Sequence, residues 1–203
     1  MASNAQQQIV DVTQLAVLAL ARPALLGETR LILIDGPAGS GKSTLAGLLA
    51  IETNADAIHM DDLYSGWETA LSVDTIQKIE TEIINPLVAG EPAKFWKFDW
   101  HKYAYTNQVE LNPTMLILEG VGAAAQPLRK YASLILWIEV APELGLNRVL
   151  SRDGEQIKAE MINWQQKEVN WHREDETRDS AEIILSGVGS EELTQTQYFA
   201  VIK

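Results

Sequence analysis

Cysteine is absent from all 203 residues, which excludes one group of functions before any motif is considered. A chain without thiols forms no disulfide, no thiolate zinc site and no cysteine nucleophile. This composition suits a reducing compartment, and we expect a cytoplasmic protein. A secretory leader is not expected, because the first ten residues carry no basic residue ahead of their apolar stretch.

Positive charge is also scarce, with 16 Lys and Arg against 28 Asp and Glu and a net charge of −12. A field of this sign repels nucleic acid and anionic membrane, so neither is an expected partner. Long apolar runs are missing too, since Arg22 and Pro23 interrupt Val12–Leu26, which is too short to span a bilayer. We expect this segment to be a helix packed on the domain, and a partner-binding helix is the alternative.

The sequence does contain short apolar runs of the kind found in strands buried on both faces. They are Leu31–Asp35, Ala57–Met60, Met115–Glu119, Leu134–Val140 and Glu182–Leu185, with Tyr198–Ile202 as a candidate edge strand. Helical patterns cover Ile9–Ala21, Ser43–Thr53, Ser72–Ala89, Glu143–Ser151 and Glu155–Glu174. Strands that alternate with helices predict an α/β fold of three layers, with a central parallel sheet flanked by helices.

One domain over residues 1–203 is the expected organisation, because 46% of the chain is hydrophobic and no repeat or low-complexity linker divides it. We expect residues 1–28 to form an N-terminal helical extension. Residues from about 153 to 178 are expected to form a small helical lid and a following helix. Apolar residues recur there at helical spacing, at Ile157, Met161, Trp164 and Trp171. This stripe fits either a packing face or a lid that closes over substrate and excludes water.

The helix predicted over Ser72–Ala89 carries an apolar stripe and an internal proline. The stripe consists of Val73, Ile76, Ile79, Ile83 and Leu87. Ser72 or Asp74 is expected to cap the N-terminus of this helix. Pro86 is expected to kink the helix or to shorten its last turn.

The sharpest motif is Gly36–Ser43, which has the sequence GPAGSGKS and fits G-x-x-x-x-G-K-[ST]. It lies between a predicted buried strand and a predicted helix, the context in which such a loop binds phosphates. Gly39 and Gly41 leave room for backbone N–H groups to approach phosphate oxygens at the positive end of the helix. Lys42 is expected to reach the β- and γ-phosphates, and the Ser43 hydroxyl to bind Mg²⁺.

This motif predicts a nucleoside triphosphate as ligand, and ATP is expected because no guanine-binding Asn/Thr-Lys-x-Asp element is present. The predicted nucleotide-binding residues are Gly36, Pro37, Ala38, Gly39, Ser40, Gly41, Lys42, Ser43 and Thr44.

Carboxylates follow or end two of the predicted strands: Asp61 and Asp62 follow Ala57–Met60, and Glu119 ends Met115–Glu119. Ligands of an open parallel sheet bind beyond the carboxyl ends of its strands, so these side chains should lie near the loop. Asp61 is expected to activate an acceptor hydroxyl, with Asp62 as the weaker candidate, and Glu119 is expected near Mg²⁺ through water. A helix cap or turn is the alternative role for the aspartates, and a structural hydrogen bond that for Glu119.

Residues 94–105 are dense in aromatic side chains and lysines and are expected to form a strand or loop pair over the site. Strand alternation would place Trp96, Phe98 and Trp100 on one face, where they could stack on a base or a sugar. An ordinary hairpin with aromatic packing is the alternative.

In this order the motifs resemble the uridine kinase and phosphoribulokinase branch of the P-loop kinases, over roughly residues 31–185. Besides the loop, the matching elements are Asp61–Tyr64 (DDLY), Phe98–His101 (FDWH), Leu118–Gly120 (LEG) and Arg148–Asp153 (RVLSRD). The resemblance implies a P-loop NTPase fold and a kinase that uses ATP and Mg²⁺ to phosphorylate a hydroxyl of a small molecule, such as a nucleoside.

The resemblance also implies roles for individual residues. Asp61 would be the base, and Tyr64 and His101 would line the acceptor pocket, which Phe98, Trp100 and Asp62 are expected to share. Arg148 and Arg152 would contact phosphates from the lid; surface salt bridges are the alternative for both.

Two other functions remain open at this point. Ile34–Lys42 also resembles the loop of bacterial cytidylate kinases, so a nucleoside monophosphate kinase is one of them. Its acceptor phosphate would need an arginine cluster, and no arginine lies between Thr44 and Pro127, although lysines occur at positions 94, 97 and 102. The other is a nucleotide-dependent ATPase or switch that acts through a partner protein. A homodimer is one oligomeric state that the sequence allows.

Overall fold

The structure is a computed structural model that describes residues 8–188 and 198–203. Its strands are β1 (Ile9–Asp11), β2 (Arg30–Asp35), β3 (Asp56–His59), β4 (Ala93–Asp99), β5 (Ala104–Leu111), β6 (Met115–Glu119), β7 (Ala132–Glu139), β8 (Ile183–Ser186) and β9 (Tyr198–Ala200). Its α-helices are α1 (Val12–Ala21), α2 (Lys42–Thr53), α3 (Met60–Leu63), α4 (Val73–Ile79), α5 (Asn85–Val88), α6 (Gln126–Arg129), α7 (Pro142–Asp153), α8 (Lys158–Glu174) and α9 (Thr177–Ser180). A π-helical segment spans Glu80–Ile84, and a 3₁₀ turn spans Glu155–Ile157.

A five-stranded parallel sheet forms the centre, in the order β3-β6-β2-β7-β8. Strand β2 lies in the middle of the sheet, so the loop that follows it opens at the centre of the carboxyl edge. The predicted α/β class with a central parallel sheet is confirmed. All five of its strands match apolar runs that were predicted as strands.

Each face of the sheet packs against helices and builds its own hydrophobic core. Leu31 and Leu33 of β2 point into one core, whereas Ile32 and Ile34 point into the other. This alternation explains why the strand is apolar without interruption. Helix α1 buries Val12, Leu15, Ala16 and Ala19 in the second core, next to α2, so the predicted packing of the N-terminal helix is confirmed.

The N-terminal helix begins three residues later than predicted, because Ile9–Asp11 forms strand β1. Asp11 caps α1 by accepting a hydrogen bond from the Gln14 amide, and the Gln14 side chain accepts one from the Asp11 amide. This reciprocal box fixes the helix start. Strand β9 pairs antiparallel with β1. The residues directly after β9 reach the edge of the central sheet, through a bridge from Val201 to Leu185 and hydrogen bonds of Ile202 and Lys203 with Ile184. The predicted edge strand thus pairs with β1 in its first part and meets β8 in its last.

The helix predicted over Ser72–Ala89 is present, with a different internal geometry. Ser72 is its N-cap, as expected, but Val73 is 67% exposed and does not belong to the buried stripe. Pro86 is accommodated by the wide π turn over Glu80–Ile84 that precedes it, where a kink or a shortened last turn was predicted. A proline ring clashes with the carbonyl four residues before it, and a widened turn moves that carbonyl aside.

Residues 93–111 form the antiparallel hairpin β4–β5, whose register shifts between Lys97 and Phe98. The irregularity places Phe98 in the core together with Phe95, whereas Trp96 is 45% exposed. The prediction that Trp96 shares a face with Phe98 is therefore wrong. The alternation of β4 breaks at the register shift, where β5 carries the extra residue Thr106 opposite Lys97 and Phe98.

Helix α8, 17 residues long, is the longest helix in the described part of the chain. Across residues 8–188 and 198–203, no helix combines the length and apolarity needed to cross a bilayer.

Candidate active site

The glycine-rich loop leaves the end of β2 and enters α2, whose N-cap is Gly41. Gly36, Gly39 and Gly41 have φ angles of +141°, +75° and +103°, a region that side chains disfavour. A Cβ at Gly41 would meet no atom within 4 Å, so the loop leaves free space there, beside the helix N-terminus. This combination of glycine backbone and helix N-terminus is a cradle for anions.

Helix α7 holds the outer side of the loop at very short range. A Cβ on Gly145 would lie 2.5 Å from the Ala38 carbonyl oxygen, and one on Gly39 would lie 2.3 Å from the Gly145 carbonyl oxygen. The Arg148 guanidinium donates hydrogen bonds to the carbonyls of Gly39 at 3.1 Å and Gly187 at 2.9 Å. Arg148 lines the cavity, and its Nη1 group serves these two backbone carbonyls.

The Lys42 ammonium lies under the loop, where it donates hydrogen bonds of 2.8 Å to the carbonyls of Gly36 and Pro37. Burial lowers the pKa of Lys42, while Asp35 and Glu119 oppose that effect. The cation is thus placed beside the anion cradle of the loop and lines the cavity.

Two oxygen ligands suited to Mg²⁺ meet at the start of α2. The Ser43 hydroxyl donates a 2.8 Å hydrogen bond to Glu119 Oε1, and Glu119 is only 3% exposed. Within the described residues no cluster of three or more His, Cys, Asp or Glu side chains could hold a metal by itself. A hydroxyl and one carboxylate fit Mg²⁺, which keeps several waters and takes further oxygens from phosphates.

His59 is a residue of this site that the sequence analysis did not identify. Strands β3 and β6 pair in a register that sets His59 opposite Glu119, and His59 Nδ1 lies 2.5 Å from Glu119 Oε1. The hydrogen bond to Glu119 raises the pKa of His59. A polar residue at the carboxyl end of a predicted strand is the signal that would have identified it.

Asp35 was also missed, although it closes the predicted strand directly before the loop. Its buried carboxylate accepts hydrogen bonds from the backbone N–H groups of Gly36, Gly122 and Ala124. His172 Nε2 of α8 lies 3.2 Å from the same carboxylate. Asp35 therefore joins the glycine-rich loop, the loop after β6 and the end of α8.

Asp61 lies in the short helix α3, since β3 ends at His59. Its side chain opens into the cavity that the loop lines, and the Asp61 carbonyl accepts a 2.9 Å hydrogen bond from Trp100 Nε1. Asp61 is exposed within this open cavity. Protein groups around its carboxylate reduce its solvation, and this desolvation, followed by the charge of Glu119, raises the pKa of Asp61. Asp62 does not line the cavity; its carboxylate forms a 2.8 Å ion pair with Lys97 of β4.

The cavity between the loop, α3, the hairpin and α8 has a volume of about 890 Å³. The wall away from the loop contains Tyr64, Trp67, Trp100, His101, Met161 and Trp164. The ring of Trp67 lies 5.1 Å from that of Trp100 and 5.7 Å from that of Trp164, so three indoles form one aromatic wall. The sequence analysis identified Trp100 but not Trp67.

The remaining acceptor-side candidates take different positions. Tyr64 presents its ring to the cavity, while its hydroxyl donates a hydrogen bond to the Val121 carbonyl. His101 lines the cavity at the tip of the hairpin. Phe98 lies behind the wall and packs edge-on against Trp100, with 5.4 Å between the ring centroids. Phe98 supports the wall and does not line the cavity itself.

Arg152 lines the cavity one turn after Arg148 on α7. Its Nε and Nη2 atoms donate hydrogen bonds of 2.7 and 2.6 Å to the two carboxylate oxygens of Asp153. The hydrogen bond to Asp153 is the main cause of the raised pKa of Arg152. The Nε and Nη2 donors of Arg152 are thus already bonded to a carboxylate.

Helix α8 contributes a buried carboxylate that the sequence analysis also missed. Glu168 is 2% exposed, and its Oε2 accepts a 3.0 Å hydrogen bond from the Ala38 backbone N–H. Burial raises the pKa of Glu168, an effect that the Ala38 hydrogen bond and Lys42 partly offset. Helix α8 thereby contacts the phosphate loop directly.

Comparison with known proteins gives structural neighbours and no sequence relatives. No protein-family model matches the chain, and no curated protein matches it. The structure is similar to that of a possible uridine kinase from Bacillus stearothermophilus, with a TM-score of 0.63, 17% identity and coverage of 85% of this chain and 96% of that one.

A second similar structure is that of a protein described as a fructose transport system kinase from Silicibacter sp. TM1040. The TM-score is 0.54 at 16% identity, and the match covers 84% of this chain and 92% of that one. A shikimate kinase from Bacteroides thetaiotaomicron matches with a TM-score of 0.46 at 15% identity, covering 82% and 92% of the two chains.

The first two matches cover 96% and 92% of the neighbouring chains. At these identities the likeness concerns the fold. The predicted resemblance is confirmed at that level: this chain has the fold of the P-loop kinases.

Proposed function

We propose that this protein is an ATP-dependent phosphotransferase that transfers the γ-phosphoryl group to a hydroxyl of a small molecule. One observation carries the proposal: a carboxylate with a raised pKa, Asp61, opens into the same cavity as the phosphate loop and the Ser43–Glu119 pair. An anion cradle, two oxygen ligands for Mg²⁺ and a proton acceptor beside them are the parts that phosphoryl transfer requires.

The loop and Lys42 are proposed to hold the phosphates of ATP. Backbone N–H groups and the N-terminus of α2 provide partial positive charge, and Lys42 adds a full charge beside the cradle. Ser43 and Glu119 would hold Mg²⁺, with His59 fixing the Glu119 carboxylate by a hydrogen bond. When bound, Mg²⁺ supplies positive charge that offsets the negative charge of the phosphates.

Asp61 is proposed to orient the acceptor hydroxyl and to accept its proton as the oxygen attacks. A raised pKa suits this role, because a carboxylate is a stronger base when its pKa lies closer to the working pH. The hydrogen bond from Trp100 to the Asp61 carbonyl fixes the short helix that presents this carboxylate. The aromatic wall shields the site from water, which would otherwise compete as acceptor.

The acceptor is proposed to be an uncharged molecule with a flat ring, such as a nucleoside. Indole and phenol rings provide flat apolar surfaces for stacking. Arg152 donates through Nε and Nη2 to Asp153, so its fork is already paired with a carboxylate. Arg148 donates through Nη1 to two backbone carbonyls. This pairing favours a neutral acceptor over a nucleoside monophosphate.

The test is ATP consumption with Mg²⁺ across nucleosides, nucleoside monophosphates, vitamins and sugars, each compared with the rate without acceptor. We expect stimulation by at least one neutral hydroxyl compound, with uridine and cytidine as the first candidates. Stronger stimulation by a monophosphate would replace the proposal with a nucleoside monophosphate kinase. ATP binding without stimulation by any compound would favour a switch that acts through a protein partner, and affinity capture with ATP bound would follow.

A further inference from the structure

One face of helix α8 lines the aromatic part of the cavity and also contacts the loop outside the cavity. Met161 and Trp164 line the aromatic half, and Glu168, one turn after Trp164, contacts the backbone of the phosphate loop. His172, a further turn along, reaches Asp35 at the base of the loop. The spacings of three, four and four residues keep all four side chains on one helical face.

The contact between Glu168 and Ala38 is partly buried and joins α8 to the backbone of the loop. Glu168 is 2% exposed and accepts the Ala38 N–H at 3.0 Å. Glu168 does not line the cavity, whereas Ala38 does, so the carboxylate approaches the loop from the side of the α8 packing face. The Ala38 peptide is therefore oriented by α8, while Gly145 of α7 blocks its carbonyl side.

Removing this acceptor would leave the Ala38 N–H without its partner. An unsatisfied buried N–H costs about 1–3 kcal/mol, so the loop and α8 cannot separate freely. Because Trp164 lies one turn before Glu168, a shift of α8 that breaks this hydrogen bond also moves the aromatic wall. The loop and the aromatic wall are thus both connected to helix α8.

We propose that Glu168 is a positioning residue that ties α8 to the phosphate loop, so that nucleotide bound at the loop orders the part of α8 that lines the aromatic half of the cavity. The proposal rests on nucleotide binding at the loop, as proposed above. Linkage requires the reverse effect as well, so a molecule held at the aromatic wall strengthens nucleotide binding by the same factor.

Hydrogen–deuterium exchange with Mg·ADP tests this proposal without knowledge of the acceptor. In the wild-type protein, Mg·ADP should slow exchange both in residues 36–44 and in residues 158–167, the latter by about fivefold or more. Glu168→Gln keeps an oxygen that accepts the Ala38 N–H and should show both effects. Glu168→Met should retain protection in residues 36–44 but lose it in residues 158–167.

Glu160→Met is the matched control, because it removes an exposed carboxylate from the same helix without a contact to the loop. It should behave as wild type. Wild-type protection of residues 158–167 in Glu168→Met would overturn the proposal, and so would equal loss in Glu160→Met.

A second arm without nucleotide separates this proposal from the proposed function. Glu168→Met should exchange faster than Glu168→Gln in residues 36–44 even in the free protein, and equal rates would overturn the tie between α8 and the loop. Absence of protection by Mg·ADP in wild-type residues 36–44 would refute nucleotide binding at this loop. It would also overturn the link to α8, while the free-protein comparison would still decide whether Glu168 positions the loop.

Discussion

At the scale of residues, the carboxylates in and around the site differ mainly in the groups that face them. Asp61 and Asp62 are neighbours in sequence, yet one opens into the cavity and the other forms an ion pair with Lys97. Asp35 and Glu168 are buried and accept hydrogen bonds from backbone N–H groups of the loop. At this scale, function depends on which group faces each oxygen.

Asp61→Asn is expected to reduce phosphoryl transfer by about 10²–10⁴-fold, because the amide cannot accept the hydroxyl proton. Nucleotide affinity should change little, since no hydrogen bond or ion pair joins the Asp61 carboxylate to the loop in the described part of the chain. Rates of transfer and the dissociation constant for Mg·ATP would be measured separately. Asp62→Asn is the comparison, with an expected effect of less than about tenfold because Asp62 lies outside the cavity. Near-normal transfer in Asp61→Asn would exclude Asp61 as the base.

Transfer by the wild-type protein should also fall as pH decreases through the pKa of Asp61, because the protonated carboxyl cannot act as a base. Desolvation raises this pKa above its ordinary value of 3.8, so the acid limb should lie above that value. The pH dependence of kcat/KM gives the midpoint in the free enzyme. A rate that stays constant down to about pH 4 would contradict the raised pKa.

Glu168→Gln should have a larger free energy of unfolding than wild type at neutral pH. The difference between the two proteins should become smaller in acid. Burial raises the pKa of Glu168 above 4.5, so this carboxyl favours folding below its unfolded pKa and loses that contribution as pH rises through the folded pKa. Gln carries no charge to bury and still accepts the Ala38 N–H. Urea unfolding of both proteins at about pH 4 and about pH 7 measures the difference. A difference in the free energy of unfolding that is independent of pH would contradict the raised pKa of Glu168.

At the scale of elements, the phosphate loop is held by two helices that approach it from different sides. Helix α7 contacts it through backbone at Gly145 and through Arg148, and α8 contacts it through Glu168. The close approach of α7 depends on glycine on both sides of the contact. Helix α2 has its own glycine, Gly47, and a Cβ there would meet no atom within 4 Å.

Gly145→Ala and Gly47→Ala are therefore expected to have opposite effects on stability. The new Cβ of Gly145→Ala would lie 2.5 Å from the Ala38 carbonyl oxygen, which forces α7 and the loop apart. We expect a loss of about 1–3 kcal/mol in stability and at least about tenfold in affinity for Mg·ATP. Gly47→Ala should stabilise α2 by about 0.5–1 kcal/mol and leave nucleotide affinity unchanged. Thermal unfolding and calorimetric titration would measure both, and equal affinities in the two variants would contradict the contact.

Local patterns predicted the elements better than their details. The strands of the central sheet follow from continuous apolar runs, because burial on both faces allows no polar alternation. The bulge at Lys97 and Phe98 and the π turn at Glu80–Ile84 could not be predicted, since each depends on partners distant in sequence. Asp11 is an exception, because its capping box with Gln14 is local and was overlooked.

At the scale of the whole molecule, a net charge of −12 surrounds a site that we propose binds a nucleotide. The loop amides and Lys42 attract phosphate only at short range, whereas the total charge acts at long range. Approach of an anion should therefore be slowed by the protein as a whole.

The association rate of Mg·ATP is accordingly expected to rise with ionic strength, because salt screens the long-range repulsion. The Debye length falls from about 30 Å at 0.01 M to about 10 Å at 0.1 M, so this interval is the informative one. Stopped-flow measurements with a fluorescent ATP analogue would follow the association rate, with no acceptor molecule added. A rate that falls with salt would mean that the cations around the loop dominate the field.

The sequence by itself determined the fold class and the glycine-rich loop of this protein. Both depend on short-range rules: apolar runs predict buried strands, and glycines at fixed spacing before Lys-Ser form an anion cradle at a helix N-terminus. The tertiary structure alone decided which polar groups meet. The pairing of β3 with β6 placed His59 on Glu119, and the packing of α8 placed Glu168 on Ala38. These contacts join residues 60 and 130 positions apart, and their geometry arises only when the sheet and its helices assemble.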